Sequence, residues 1–240
     1  LKKMKLEQKR PQLFRDFPPF PKEQLREKYT GGDIVIQACA DDEQVAFHAI
    51  RNLIRKGRNA VTLRWSQSGF AAIGDRMETP RNLFGFKDGT ANVTKEKDFD
   101  RVVWADSKDW MENGSYMAVR RIQMFLDTWD RTNLEEQENT FGRYKESGAP
   151  FGKKNEFDEV DLSLLPDDSH VRLAKEVEKP LLRRSYSYSD GIDDKTGQFD
   201  TGLLFISFQK DPDHFVKVQT NLGATDKMNE YVTHIGSGLF

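Results

Sequence analysis

The sequence predicts an α+β protein built on antiparallel sheets. Three observations carry that prediction. Short apolar runs with strand character stand apart from two longer runs with helical spacing. Each helical run opens on a capping aspartate and closes on a glycine. The 240-residue chain is 37% hydrophobic with 17 Phe, enough to fill a core of one large or two small domains.

The elements follow in order. Residues 1–27, LKKMKLEQKRPQLFRDFPPFPKEQLRE, read as a basic, Pro-punctuated connector with no initiator Met and no apolar signal-peptide stretch. DIVIQACA (33–40) is a β-rich run. Asp41 or Asp42 then offers a cap, and Ala46, Ala49, Ile50, Leu53 and Ile54 share one helical face before Gly57 stops the helix. AVTLRWSQSGF (60–70) reads as a strand. This β-α-β unit has a helix face and a sheet face to bury, and nothing upstream completes the layer; half a domain is expected to precede it.

SYMAVRRIQMF (115–125) is the next strand, running into a helical LDTWDRTNLEEQENTFGR. A loop-rich region (146–180) leads to the strands RRSYSYS and GLLFISFQ. In DPDHFVKVQTNLG, Asp211 caps a helix with Pro212 in its first turn, Phe215, Val218 and Leu222 on one face, and Gly223 as its end. Over 115–240 the order is β-α-β-β-α, a ferredoxin-like arrangement lacking its last strand. The earlier segment is the second half of another copy, so the expected domains are 1–113 and 114–240. Both ends are expected to belong to a longer protein.

Composition narrows function. A net charge of −2 without a long basic run argues against nucleic acid. No apolar run approaches the ~20 residues that span a bilayer. One cysteine, Cys39, excludes an internal disulfide framework and a Cys-based zinc site.

Of the four histidines, His48 lies inside a helix, His214 follows a helix start, and His234 sits near the chain end where the sequence gives it no context. His170, in PDDSHVRLAKE, reads on spacing alone as a helix-start histidine. No second His or Cys stands at metal-ligand spacing from it, whereas a haem needs only one protein ligand. Arg183 and Arg184 begin a strand and point to opposite faces. Leu203 and Phe205 share one face of the following strand; by itself this is an ordinary sheet. No P-loop, dinucleotide-binding or GxSxG pattern is present.

The stretch NLFGFKDGTANV (82–93) sets polar Lys87 and Asp88 inside a glycine-punctuated loop, which packing does not require. Its GFKDG resembles the GxxDG motif of the dye-decolourising haem peroxidases. The likeness extends through GGDIVIQACADDEQVAFHAIRNL, DRVVWAD, GSYMAVRRIQMFLDTWDRTNLEEQENTFGRYKESGAP, DSHVRLA, LLRRSYSYSDG and TGLLFISFQKD, in order. It is nearest to the deferrochelatase/peroxidase branch of bacterial iron uptake.

The resemblance implies two ferredoxin-like domains with antiparallel sheets, barrel-like in arrangement, and haem b between helices and sheet. It implies His170 as the iron ligand, Asp88 as distal acid and Arg183 as distal arginine. Gly89, Thr90 and Ala91 would line the porphyrin, with Asn92 near the distal pocket. Leu203 and Phe205 would bound the peroxide site. Asp226, with Glu230 as second choice, would orient the histidine. Where the family often follows HIRLA with Asn-Pro-Arg at a haem propionate, this chain has Lys-Glu-Val, and Lys175 or Arg172 is the expected substitute.

The expected function is reduction of hydrogen peroxide with oxidation of bulky donors: dyes, ferrous iron or porphyrins. The alternative is a deferrochelatase that releases iron from haem with incidental peroxidase activity; a third reading is a regulatory ferredoxin-like domain without haem. Trp65, Trp104, Trp110, Trp129, Tyr116, Tyr144, Tyr186 and Tyr188 are candidate relays to surface donors. The branch implies export by a twin-arginine route, with cytoplasmic location as the alternative, and an iron-uptake permease as partner.

Overall fold

The strand Tyr116–Met124 organises the protein, since all but one of its residues are buried. The computed structural model describes residues 7–71, 78–194 and 196–240. In chain order its helices and strands are α1 (Glu43–Gly57), α2 (Phe99–Val102), β1 (Tyr116–Met124), α3 (Leu126–Trp129), α4 (Leu134–Phe141), α5 (His170–Glu176), β2 (Leu182–Arg183), β3 (Tyr186–Ile192), β4 (Phe199–Gln209), α6 (Pro212–Thr225) and β5 (Val232–Leu239). The strands form one open antiparallel sheet in the order β2-β4-β1-β5, with β3 also on β4. This is the ferredoxin-like order.

The last strand, expected to be missing, is present as β5 beside β1. Its sequence VTHIGSGL hides it, because Gly236 and Gly238 thin the apolar pattern. Gly236 is required by packing: a Cβ there would lie 2.7 Å from the Tyr29 carbonyl oxygen. That close neighbour belongs to the supposed connector. Gln24 and Arg26 donate backbone hydrogen bonds to His234 and Ile235, and Gly31 donates to Ser237, so residues 24–31 cover the β5 edge. Phe17 and Phe20 pack with Phe215 and Ala118.

The runs 33–40 and 60–70, expected as strands, form no ladder among the described residues; only Phe70 bridges to Ser187. Ile34, Ile36, Val61 and Leu63 are exposed, so the apolar faces that would drive pairing stay uncovered. Between them α1 forms as its pattern predicts, with the Asp42 carboxylate accepting from Gln44 N–H. The expected helix after β1 is two, α3 and α4, because Asn133 starts a new cap. RRSYSYS is likewise broken into β2 and β3. α6 runs past Gly223 to Thr225; a Cβ at Gly223 would sit 3.0 Å from Pro21, so this glycine is a packing contact rather than a stop.

Phe84, Phe86, Met124, Trp129, Phe141, Met228 and Tyr231 form the core cluster under the site. Phe86 stacks on Phe141 at 3.9 Å between ring centroids, and Trp129 meets Tyr231 edge-on at 4.9 Å. Each buried ring contributes ~2–3 kcal/mol. These rings anchor the loop carrying Asp88 to α4.

Candidate active site

Asp88 is held from both sides of its own loop. Asn82 Oδ1 accepts from Phe84 and Phe86 N–H, Gly85 turns the chain at φ 81°, and Asp88 N–H donates to the Pro80 carbonyl. Flanking it, Lys87 Nζ donates to Glu156 Oε2 and Thr90 Oγ1 to Glu156 Oε1, both at 2.7 Å. Burial would raise the Glu156 pKa, but the hydrogen bonds from Lys87, Thr79 and Thr90 and the Lys87 charge hold it below the usual carboxylate range. One buried carboxylate therefore staples residues 87 and 90 and leaves the Asp88 side chain free to point elsewhere. It points to Arg183, whose Nη1 donates to Asp88 Oδ1 at 3.0 Å, with both side chains about a third exposed.

Asn92 fixes the other end of this pair. Its Oδ1 accepts from Arg183 N–H and its Nδ2 donates to the Arg183 carbonyl, both at 2.8 Å. The amide side chain thus acts as a one-residue strand partner for β2. Strand pairing puts Arg183 opposite Ser207, Phe205 opposite Arg120, and Leu203 opposite Ile122 with His234 beyond; all share one sheet face.

His170 begins α5 after Ser169. Its Nδ1–H donates to Asp226 Oδ2 at 2.7 Å, while Asp226, 3% exposed, accepts Met228 N–H on Oδ1. A carboxylate on Nδ1 fixes the tautomer, so Nε2 presents a lone pair that can ligate a metal. Burial would lower the imidazole pKa, but the Asp226 charge and hydrogen bond outweigh it and hold the ring above its usual range; Arg183 opposes and Asp88 adds. The charges of the Asp88–Arg183 pair therefore reach the His170 ring. Among the described residues no group of three or more His, Cys, Asp or Glu could cage a metal ion. A metal bound by a single side chain, as in haem, is what this donor set fits.

The other residues singled out in the sequence divide. Gly89 has φ 129°, a left-handed region only glycine enters readily, and a Cβ there would meet just Thr79 at 3.7 Å. The Thr90 hydroxyl is taken by Glu156, and Ala91 is exposed. Leu203 packs on the aromatic cluster, and Phe205 on Phe215. Glu230, second choice to Asp226, is exposed. Arg172 is engaged by Asp167, Glu176 and the carbonyls of Leu162 and Leu165, and Lys175 is exposed. Of the candidate relays, Trp129 is buried beside Phe141, which itself meets the His170 ring; Trp104 and Trp110 are exposed. Hollows of about 450 Å³ by Val177 and Val216 and about 180 Å³ by Gln24 and Phe199 contain none of these site residues.

Nothing in the local sequence points to Glu156, 66 residues from Thr90, or to the pairing of buried Arg120 with His234. The two adjacent arginines in the middle of strand β1 are the one signal that could have drawn attention there.

Comparison with known proteins identifies the family. The family model described as Dyp-type peroxidase, C-terminal, matches residues 79–240, and its N-terminal counterpart matches residues 1–71. The chain is 41% identical over 252 residues to the deferrochelatase of Escherichia coli (strain K12), and 41% over 254 residues to that of Shigella sonnei. In each case the match covers 96% of this chain and 59% of the relative, so the chain spans little more than half their length. Ferric DtpA from Streptomyces lividans superposes with a TM-score of 0.92 at 38% identity, over 98% of this chain and 69% of that one. A DyP-type peroxidase from Cellulomonas bogoriensis superposes with a TM-score of 0.91 at 36% identity and the same coverages. With its fold, its order of elements and both family models in agreement, this chain belongs to the Dyp-type peroxidase family.

Proposed function

We propose that the chain is the haem-binding part of a peroxidase that reduces hydrogen peroxide and oxidises bulky donors. The observation that carries this reading is a histidine anchored by a buried carboxylate at 2.7 Å together with an Asp–Arg pair at 3.0 Å, each in a motif of the family. Haem b, bound through His170 Nε2, would supply the iron chemistry that exchanges electrons with peroxide.

The chain's residues supply the rest. Asp226 holds the His170 ring in one tautomer and raises its basicity. The Asp88 carboxylate can accept a proton from a peroxide oxygen and return it to the departing one. Arg183 remains cationic throughout and stabilises the negative charge that develops as the O–O bond breaks. Asn92 and Glu156 keep the two in register, since each grips the backbone or flanking residues rather than the reacting side chain.

The test is stopped-flow spectroscopy of the haem-reconstituted full-length protein with peroxide. Rapid bleaching and shift of the Soret band supports the reading; an inert spectrum sinks it. A second reading rests on the 41% identity to proteins named deferrochelatase. It is iron release from intact porphyrin, read as metal-free porphyrin fluorescence without added peroxide. Export, and an iron-uptake permease as partner, belong to the same proposal; localisation of the full-length precursor in fractionated cells tests the first and co-purification the second.

A further inference from the structure

His234 lies on β5, on the sheet face that also carries Leu203, Phe205 and Arg183. Arg120, 1% exposed in the middle of β1, donates from Nη2 to His234 Nδ1 at 3.0 Å and from Nη1 to Ser237 Oγ at 2.7 Å. The same guanidinium is neutralised by Glu23 and lies over the Phe20 ring. A guanidinium has only donors, so Nδ1 of His234 must accept, and the ring proton is forced onto Nε2. Burial, the Arg120 cation and the His170 ring push the His234 pKa down to about 3, which keeps this neutral donor tautomer across the physiological range.

Nε2–H has no hydrogen-bond partner among the described residues, yet it is not one of their sealed, unpartnered atoms. His234 is only partly buried, so its free Nε2 edge is accessible to a ligand lying against this sheet face. A donor fixed in one tautomer at this partly covered position suits an anionic acceptor. Its position argues against peroxide as that acceptor: β5 lies two strands from β4 and three from the strand of Arg183, roughly 10 and 14 Å across the sheet. That offset is on the scale of a porphyrin ring, whose acceptors are its two propionate carboxylates. Arg172 and Lys175, the residues a sequence reading would choose, are committed elsewhere or exposed.

We propose that His234 binds the haem by donating Nε2–H to one propionate, with Arg120 as the positioning residue that fixes its tautomer. The assignment rests on the haem-binding reading above. It makes the arginine-histidine pair on the sheet, rather than the loop after α5, the anchor for that edge of the cofactor.

The test titrates apo full-length protein with haemin and with haemin dimethyl ester, following the Soret band, for the parent, His234→Leu and His234→Gln. A hydrogen bond to a carboxylate predicts that His234→Leu weakens haemin binding ~10- to 100-fold, while His234→Gln, which retains a donor at a similar reach, stays within a few fold. The dimethyl ester should bind the parent more weakly and be insensitive to His234→Leu. Resonance Raman propionate-bending bands of the bound parent should shift in His234→Leu; this reading needs no activity. Equal haemin affinity in parent and His234→Leu overturns the assignment, as does an equal loss with the dimethyl ester, which would make the side chain packing only. If the leucine variant fails to fold, a parent that binds haemin and its dimethyl ester equally well overturns it without any mutation. A parent that takes up no haemin at all overturns the haem-binding reading and this assignment with it, a result distinct from either of the others.

Discussion

The side-chain amide of Asn92 closes two hydrogen bonds of 2.8 Å on the peptide of Arg183, one in each direction. The loop that carries Asp88 is thereby tied to the strand that carries Arg183, and their ion pair is a consequence of that tie as much as of charge.

Replacing Asn92 by Ala removes both bonds, leaving the half-buried Arg183 backbone without those partners. The expected cost is about 1–3 kcal/mol of stability, with a slower reaction toward peroxide and unchanged histidine ligation of haem. Chemical denaturation and the ferric spectrum check this together. A variant as stable and as fast as the parent would show that the Asn92 bonds are incidental.

Glu156 makes a pH-dependent contribution. Its folded-state pKa is depressed, so its stabilisation is fully present above the unfolded carboxylate value and is lost as pH falls through the folded one. Glu156→Gln should therefore lower the melting temperature at neutral pH, and the gap between variant and parent should shrink by about pH 3, below the reference carboxylate pKa. A gap that stays constant over that range contradicts the staple.

Asp88→Asn and Arg183→Leu should separate by pH profile rather than by size. Acid–base help is worth roughly 10²–10⁴-fold and a lost electrostatic donor about 10²–10³-fold, so the rate losses overlap. Removing the Asp88 carboxylate should flatten the acidic limb of peroxide activation; removing Arg183 should preserve a limb at lower amplitude. An unchanged limb in Asp88→Asn would move the proton step to another group.

Tyr188 offers a control among the candidate relays. Its ring packs on the Arg121 guanidinium at 4.1 Å, and its hydroxyl is buried with no partner among the described residues. Burial, against the Arg121 charge, raises its pKa, and the nearby Asp200 and Asp190 carboxylates raise it further. Tyr188→Phe should be neutral or stabilising by ~1 kcal/mol, and should leave surface-donor oxidation unchanged. Loss of donor oxidation in that variant would make it a relay.

The C-terminal arrangement was legible in the sequence because its signals are local: Asp211 and Pro212 opening α6, and the apolar alternation of β1 and β4. The site residues stood out through the family motif, GFKDG and DSHVRLA, not through spacing, since one histidine and one aspartate have no period. The hidden parts depend on distant contacts. β5 is disguised by Gly236, a glycine explained only by the passing Tyr29 backbone. The Glu156 staple joins positions 69 residues apart at Lys87, and the Arg120–His234 pair joins positions 114 apart. Residues 33–40 and 60–70 failed as strands for the converse reason: their local pattern is right, and beyond the single Phe70–Ser187 bridge no sheet partner lies among the described residues.

The central claim is that His170, anchored by Asp226, is the protein ligand of haem iron. Ferrous resonance Raman of the reconstituted full-length protein tests it most directly, through the iron–histidine stretch in the parent, Asp226→Asn and His170→Ala. The account predicts a strong stretch in the parent, a lower frequency in Asp226→Asn as the imidazole loses its anionic partner, and no such band in His170→Ala. An iron–histidine stretch that survives unchanged in His170→Ala would contradict it.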